Sequence, residues 1–384
     1  MRLRETIMFR HSVLPYIAFA MAALPASAQQ PQRLKTEKAE IVVETAARGL
    51  DHPWGLAFLP DGRMLVTERP GRLRIVSADG QVSPPLGGVP RVHAQEQGGL
   101  LDVALDPGFA ENRLVYLTYA EPREGGAATA AGRGRLNAAG TALEGFQVIF
   151  RQQPAVSGGL HFGSRLAFAR DGTLFVSTGE RFKFEPAQDL SMHLGKLVRI
   201  NPDGSVPLDN PFVNRKGARP EIWSYGHRNV QGLAVHPETG VLWEGEFGPR
   251  GGDEINIIEP GRNYGWPLVS WGDHYDGRKI PRPSTRPELA DAVRHWTPSI
   301  SFSGIAFYTG DAFPAWRGNL LLAGLSSKAL TRLTLDGARV TGEERIPIGE
   351  RIRSVATGPD GFVYLLTDGE RGRVLRLVPA GGRG

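Results

Sequence analysis

The sequence contains no cysteine among its 384 residues, so disulfides are excluded and the fold must hold together without them. Long hydrophobic runs are also lacking. No stretch after residue 28 approaches the roughly 20 apolar residues that a membrane-spanning helix needs. Charge of one sign is not in excess either. The formal net charge is +5, and it becomes +3 without residues 1–28, which carry three arginines and one glutamate. So mild an excess, spread along the chain, indicates neither nucleic acid nor an anionic membrane as a partner.

The first thirty residues have the three-part layout of a secretory signal peptide. Arginines precede the apolar residues 13–24, and Ala26, Ser27 and Ala28 form a small-residue cleavage site. The apolar stretch is too short to span a bilayer, and a buried N-terminal helix is the alternative. We therefore predict that residues 1–28 are a signal peptide cleaved near Ala28. The mature protein would be periplasmic or secreted, and export without cysteine suits a bacterial periplasm.

One strand-turn-strand pattern recurs six times along the chain. Each copy has an alternating apolar strand, a turn of the Pro-Asp-Gly type and a second apolar strand, and Asp-Gly supplies the positive φ angles of tight hairpins. The copies begin at Gly55, Gly99, Ser164, Gln231, Ser303 and Arg353. A single copy cannot bury its apolar face, whereas a closed ring of copies can. The alternative is an accidental likeness within a β-sandwich. The pattern favours an all-β fold, a six-bladed β-propeller.

The spacing of the copies predicts long loops on the active-site face. Successive copies begin between 44 and 72 residues apart, whereas compact blades take about 40 to 50 residues. The excess must form loops, which in a propeller gather around the central channel and carry function. The predicted organisation is a signal peptide (1–28), an N-terminal segment leading into the propeller (29–49), the catalytic propeller (50–378) and a C-terminal tail (379–384).

Polar side chains directly precede three of the copies, at Gln97, at His161, and at Arg228 with Asn229. Related positions on three blades predict a shared site at the channel mouth. A lone histidine beside glycines often only hydrogen-bonds its loop. However, Glu180 ends the strand that follows His161, and an antiparallel hairpin brings such a carboxylate back toward the imidazole. A carboxylate on one ring nitrogen fixes the tautomer and makes the other nitrogen a better base.

Three further features each allow two interpretations. Arg228 beside Asn229 predicts either a clamp for an anionic or carbonyl-rich planar ligand or an inter-blade salt bridge. Arg351 and Arg353 share one face of a strand, which indicates an anion between them or a solvated edge. The segment 246–254 combines glycine and proline with carboxylates, which suits calcium. It lacks the spacing of an EF-hand, and solvated acidic turns would explain it as well.

Five motifs together resemble the soluble aldose sugar dehydrogenases that depend on pyrroloquinoline quinone (PQQ). They are GGLHFGSRLAF, EIWSYGHRNVQGLAVHP, FGPRGGDEIN, NYGWP and RIRSVATGPDGFVYLLTD, in this order. The likeness covers roughly residues 50–377 and extends to soluble glucose dehydrogenases and sorbosone-dehydrogenase-like propellers. It implies PQQ- and calcium-dependent oxidation of aldose sugars at C1 to the lactone, with hydride transfer to C5 of the quinone. It also implies an electron acceptor, which the sequence does not identify.

The resemblance implies roles for individual residues. His161 matches the base that takes the proton of the anomeric hydroxyl, Glu180 the carboxylate that orients it, and Arg228 the arginine that polarises the quinone carbonyl. The implied cofactor contacts are Gln97, His161, Arg228, Asn229, Tyr275, Gly324, Leu325, Ser326, Arg351 and Arg353. The family commonly has a lysine where this chain has Ser326. Lys328 is the candidate replacement, and without it one PQQ contact would be lost.

The same resemblance implies two calcium ions. Gly248 and Pro249 match backbone carbonyl ligands of an ion that bridges to the quinone and acts as a Lewis acid. Glu254 and Tyr264 match ligands of a second, structural calcium.

Two other functions remain compatible with the architecture. A calcium-dependent lactonase would need carboxylate and asparagine ligands that meet at the channel centre. A non-catalytic propeller would bind sugars or another protein. The Arg351–Arg353 pair, and the combination of His161 with Arg228, favour the dehydrogenase. The sequence indicates neither the preferred sugar nor the oligomeric state.

Overall fold

The computed structural model of the protein describes residues 32–381. The predicted signal peptide, residues 1–28, lies outside the described residues, as do the last three residues of the predicted tail. Over residues 32–381, no helix combines the length and the apolar character that crossing a membrane requires.

Strands dominate the described chain, and they form six antiparallel sheets within residues 32–381. Two N-terminal strands come first: β1 (Gln32–Lys35) and β2 (Glu40–Leu50). The first blade contains β3 (Pro53–Phe58), β4 (Met64–Glu68) and β5 (Arg72–Val76). The second contains β6 (Leu100–Leu105), β7 (Leu114–Arg123), β8 (Gly126–Leu136) and β9 (Leu143–Arg151). The third contains β10 (Gly163–Phe168), β11 (Leu174–Thr178), β12 (Lys196–Ile200) and β13 (Ile222–Tyr225).

The remaining blades follow the same pattern. The fourth contains β14 (Val230–Val235), β15 (Leu242–Glu246), β16 (Asp253–Ile257) and β17 (Arg294–Trp296). The fifth contains β18 (Phe302–Phe307), β19 (Leu320–Gly324), β20 (Ala329–Asp336) and β21 (Arg339–Pro347). The sixth begins with β22 (Ile352–Thr357), β23 (Val363–Thr367) and β24 (Gly372–Pro379). Short helical turns lie at Phe109–Asn112, Glu185–Gln188, Pro283–Thr285 and Pro314–Trp316.

The six sheets are arranged as a closed ring. The innermost strands are β3, β6, β10, β14, β18 and β22, and each of them contacts the next, with β22 returning to β3. Each innermost strand is the first strand of one of the six repeated copies. The apolar residues of each blade pack against the neighbouring blade, as a ring of identical units requires. The predicted all-β, six-bladed propeller is confirmed.

Both ends of the described chain build the sixth blade. Its strand order is β1-β2-β24-β23-β22, so β2 pairs with β24 along its length. The segment predicted to lead into the propeller thus contributes two strands to the last blade from residue 32 onward. Its buried side chains pack toward both neighbouring blades: Ile41 and Val43 share a core with the fifth blade, and Ala47 and Leu50 share one with the first. The hydrophobic effect of these residues, together with the β2–β24 ladder, closes the ring.

A buried arginine occupies the central channel. The guanidinium of Arg165 contacts the other five blades through Trp54, Asp102, Gln231, Ser303, Ser354 and the carbonyl of Arg353. Its Nη1 lies 3.1 Å from Asp102 Oδ1. Burial raises the pKa of Asp102 and lowers that of Arg165, and the ion pair between them opposes both shifts.

The inner strands approach this arginine closely, and glycine permits the approach. A Cβ placed on Gly304 would lie 2.9 Å from the Cα of Ser354 and 3.2 Å from Arg165 Nη2. Any larger residue would push the fifth blade away from the axis. We call Arg165 and the groups that its guanidinium contacts the central hub.

The closure by β2 generates a stability prediction. Ile41 is fully buried in the sixth blade, so Ile41→Ala should lower the free energy of unfolding by about 2–5 kcal/mol because it leaves a cavity under β2. Denaturant unfolding would measure the loss. Arg48→Ala, an exposed position on the same strand, is the matched control and should change stability by less than about 0.5 kcal/mol. Equal effects of both substitutions would mean that β2 does not stabilise the ring.

Candidate functional site

The antiparallel order of each blade brings the sequence-predicted residues to one face. Inner strands begin, and second strands end, on the same side of the ring. Gln97, His161, Arg228, Asn229 and Arg351 directly precede inner strands. Glu180, Gly248, Pro249, Leu325 and Ser326 directly follow second strands, and Gly324 ends one. The candidate site is therefore assembled at one mouth of the channel from several blades.

His161 and Glu180 form a buried pair. The Nδ1 of His161 lies 2.5 Å from Glu180 Oε1, and both residues are almost fully buried. Gln97 Oε1 accepts a hydrogen bond of 2.8 Å from the backbone N–H of His161. His161 itself has a positive φ of 52°, a backbone conformation that non-glycine residues seldom adopt. The hairpin contact expected from the sequence is present.

The protonation states of this pair follow from its surroundings. The second oxygen of Glu180 accepts the backbone N–H groups of Lys183 and Phe184. Burial raises the pKa of Glu180, but its hydrogen bonds and neighbouring charges bring the net value below the ordinary one. Burial, followed by the charge of Arg228, lowers the pKa of His161, and Glu180 opposes this shift only in part. At neutral pH the pair is a carboxylate and a neutral imidazole with its proton on Nδ1.

Arg228 and Asn229 present unused donors beside this pair. Arg228 Nη1 donates to the carbonyls of Phe247 and Gly248, each at 2.9 Å, and Nη2 lies 3.2 Å from the Tyr275 hydroxyl. Arg228 forms no ion pair within residues 32–381, so the interpretation as an inter-blade salt bridge is wrong. Asn229 Oδ1 accepts the N–H of Gly163, while Asn229 Nδ2 and Arg228 Nε are buried without a protein partner in the described chain. Buried unpaired donors are rare and point toward a ligand.

Arg351 and Arg353 share one carboxylate. The Nη2 atoms of Arg353 and Arg351 lie 3.1 and 3.2 Å from Asp368 Oδ2. Arg353 is buried and also donates to Gln231, whereas Arg351 is half exposed. Burial raises the pKa of Asp368, but the charges of Arg353, Arg351 and Arg69 hold it below its ordinary value. Three arginines surround a single carboxylate, so this side of the channel mouth carries excess positive charge. The sequence reasoning missed Asp368 and Arg69, because neither stands out in its local motif.

Three acidic side chains of the fourth blade, those of Glu244, Glu246 and Glu254, lie near one another. Glu246 pairs with Glu254 across β15 and β16, and Glu244 pairs with Asn256. His227 Nδ1 lies 3.5 Å from Glu246 and 3.8 Å from Glu244, and it has no hydrogen-bond partner within the described residues. Burial and the charge of Glu246 raise the pKa of both Glu244 and Glu254 well above the ordinary value. Burial also raises the pKa of Asp253, whose carboxylate lies apart from this cluster and accepts hydrogen bonds from Ser299 and Ser301.

This acidic cluster borders a small cavity. The cavity has a volume of about 10 Å³, and its lining includes Glu246, Gly248, Glu254 and Tyr264. Three of the four residues predicted to bind calcium therefore meet at one void. Beside this void, the ligand atoms of His227, Glu244 and Glu246 lie within 4.8 Å of one another, and the two carboxylates of this group are ligands of the kind that calcium takes. The sequence reasoning gave Glu244 and His227 no role, although two glutamates at alternate positions of a buried strand were the available signal.

The remaining residues predicted to bind PQQ or calcium lie farther from the His161–Glu180 pair. Gly248 offers its carbonyl to Arg228, as described above, and Pro249 is buried in the adjoining turn. Leu325 is buried and its N–H donates to the carbonyl of Ser301. Ser326 and Lys328 are both exposed, and neither side chain forms a hydrogen bond or ion pair within residues 32–381. The structure does not bring either of them into contact with the His161–Glu180 pair.

The sequence profile described as glucose/sorbosone dehydrogenase matches residues 50–376. The chain belongs to the glucose/sorbosone dehydrogenase family. Among family members, this dehydrogenase is similar to the aldose sugar dehydrogenase YliI of Escherichia coli (strain K12). The two are 48% identical over 349 residues, which cover 89% of this chain and 94% of that protein. The family expected from the five motifs is confirmed.

Solved structures of other family dehydrogenases share the architecture. A crystal structure of a glucose dehydrogenase has a TM-score of 0.85 at 53% identity and covers 87% of this chain and 98% of its own. The PQQ-bound form of the aldose sugar dehydrogenase from Streptomyces coelicolor has a TM-score of 0.72 at 33% identity, covering 88% and 98%. The roles of individual residues in the present dehydrogenase stay predictions.

The geometry of the buried pair predicts a measurable titration. The charge and hydrogen bond of Glu180 raise the pKa of His161 against burial, so Glu180→Gln should lower that pKa further. NMR titration of the imidazole would measure it. Glu185→Gln, an exposed glutamate in the same loop, is the control and should leave the His161 titration unchanged. A His161 pKa that rises in Glu180→Gln would contradict the assigned contact.

Proposed function

We propose that the protein oxidises aldose sugars at C1 to the lactone, with PQQ as the redox cofactor and calcium as an essential ion. The observation that carries the proposal is the buried His161–Glu180 pair beside the unpaired donors of Arg228 and Asn229. A base, an orienting carboxylate and cationic donors at one channel mouth are what removal of a proton and acceptance of a hydride require. Membership of the glucose/sorbosone dehydrogenase family supports the same reaction.

His161 supplies the base. Because the ionised Glu180 can only accept a hydrogen bond, the proton of the neutral imidazole resides on Nδ1. The Nε2 lone pair is left free, since no protein group of the described chain hydrogen-bonds it. This nitrogen takes the proton of the anomeric hydroxyl, and Glu180 stabilises the imidazolium that forms. The nearby Arg228 charge, which lowers the pKa of His161, keeps the base neutral before the sugar binds.

The donor set fits PQQ, a planar quinone with three carboxylates. The excess positive charge of Arg351, Arg353 and Arg69 suits the carboxylates, and Asn229 Nδ2 and Arg228 Nε suit carbonyl oxygens. Gln97, Tyr275, Gly324, Leu325 and Ser326 complete the proposed cofactor contacts. PQQ, when bound, supplies the electrophilic carbon C5 that accepts the hydride from C1 of the sugar.

The acidic cavity fits calcium. Glu246 and Glu254 offer carboxylate oxygens at a void with room for about one ion, and Tyr264 lines the same void. A bound cation would offset both the burial and the repulsion by Glu246 that raise the pKa of Glu254. For the ion near the quinone, Gly248 and Pro249 remain the proposed carbonyl ligands. In the present arrangement the Gly248 carbonyl accepts a hydrogen bond from Arg228, so this ion and the guanidinium would share its two lone pairs.

The centre of the channel disfavours a lactonase. That reaction on this architecture needs carboxylate and asparagine ligands free to bind calcium on the axis. The axial carboxylate here, Asp102, is neutralised by Arg165. We therefore retain the dehydrogenase, and we further propose that the protein is exported by its predicted signal peptide. Its electron acceptor is left open.

The deciding experiment is dye-coupled oxidation of glucose and other aldoses by the purified protein, with and without PQQ and calcium. Activity should require both and yield the lactone. His161→Asn should lower kcat by about 10²–10⁴-fold because it removes the general base, while the protein still binds PQQ through its other contacts. His236→Asn, a histidine at the turn between β14 and β15, is the control and should retain activity. PQQ binding without oxidation of any aldose would redirect the substrate class, and no PQQ binding would overturn the proposal.

The calcium assignment predicts a change in thermal stability. Saturating calcium should raise the Tm of the wild-type protein by about 5 °C, because the ion binds only the folded state. Glu254→Gln should lose most of this response, and its Tm without calcium should not fall, because a neutral amide replaces a buried carboxyl group whose ionised form is unfavourable there. The exposed Glu238→Gln should respond as the wild type does. A wild-type Tm that is insensitive to calcium and to EDTA would contradict the site.

A further inference from the structure

The loop after Glu180 holds an unusual backbone conformation. Arg181, Phe182 and Phe184 have positive φ values of 60°, 59° and 64°. Non-glycine residues seldom adopt this region, and three within four residues persist only where the surroundings enforce them. Contacts with the surrounding structure must therefore hold the loop in this conformation, which leaves Phe182 exposed.

Two buried groups enforce this loop. Arg181 is 2% exposed, and its guanidinium donates to the backbone carbonyls of Leu160, Ala127 and Gly158. It also lies 3.7 Å above the ring of Phe162. From the other side, Glu180 accepts the N–H groups of two loop residues, as described above. The loop is fixed on the same carboxylate that orients His161, so its position relative to the base is fixed as well.

The enforced conformation places Phe182 beside the base and open to solvent. The Phe182 ring is 38% exposed, and its centroid lies 5.3 Å from that of His161. Phe184 packs behind it at 5.2 Å, and Tyr275, which is 61% exposed, lies 6.4 Å away with its ring inclined by only 30°. Phe182 and Tyr275 together present an exposed aromatic patch at the site, and an exposed apolar patch of this kind indicates a surface that a ligand covers.

We propose that Phe182 is a specificity-determining residue on which the sugar ring stacks. The occupant is a pyranose aldose, whose axial C–H groups form an apolar face while its hydroxyls point to the ring edge. Stacking of that face on the Phe182 ring leaves the anomeric hydroxyl free to meet His161. The proposal rests on the proposed function, because it names a determinant for the same substrate. It assigns Phe182 to sugar binding and not to binding of the cofactor.

The test is a series at position 182 in the full protein loaded with PQQ and calcium. Phe182→Ala and Phe182→Leu remove the ring, and the KM for glucose should rise about three- to tenfold, with kcat and the Kd for PQQ changed by less than about twofold. Phe182→Trp and Phe182→Tyr keep an aromatic face and should hold KM within about twofold of wild type. Leu208→Ala, at a residue that is 88% exposed, is the matched control for loss of an apolar surface group.

Three results would overturn the assignment: an unchanged KM in Phe182→Ala, a KM that rises equally in the aromatic variants, or a parallel rise in the Kd for PQQ. If the wild-type protein oxidises no aldose, the proposed function fails, and saturation-transfer NMR with glucose then decides this inference separately. Saturation transfer that is present in wild type and lost in Phe182→Ala would support the sugar contact. Absent or equal transfer would reject it.

Discussion

The ion pair between Arg165 and Asp102 is the constraint on which the rest of the propeller depends. A charge buried on the axis of a ring must be paired, because leaving it unpaired costs several kcal/mol. Asp102 supplies the opposite charge that Arg165 requires. The guanidinium also contacts every other blade. The inner strands are thereby held at one distance from the axis. The central hub therefore also positions the residues that directly precede the inner strands, which include His161 and Arg228.

The charges of the site are segregated between blades. Arginines of the first and sixth blades gather around Asp368, whereas carboxylates of the fourth blade gather around the small cavity. Arg228 lies between these regions and donates to carbonyls that border the acidic side. An anionic planar ligand and a cation would each neutralise one region. If both bind as proposed, the two binding events would be coupled, because either partner would lower the electrostatic cost of holding the other.

The sequence predicted the ring because the repeated Pro-Asp-Gly hairpins carry local signals, and it predicted the approach of Glu180 to His161 from hairpin geometry. Contacts between distant blades carry no such signal. The central hub could not be derived, because Arg165 and Asp102 each look like ordinary strand residues. The acidic cluster was seen only in part, since Glu244 and Glu246 resemble a solvated strand edge until burial is known. The role of β2 in the sixth blade was missed because no Pro-Asp-Gly hairpin turn, of the kind that marks the six copies, adjoins this strand.

The sixth blade forms only when both ends of the described chain are present. The ladder between β2 and β24 joins the two ends of the described chain, and Arg351 and Arg353 belong to the blade that it completes. A chain cut short at either end leaves an open strand edge, which invites pairing with other chains. Such a fragment also lacks the complete sixth blade that positions Arg351 and Arg353 at the channel mouth. Truncation at either end would therefore expose an edge prone to aggregation and, on the proposed function, also weaken binding of PQQ.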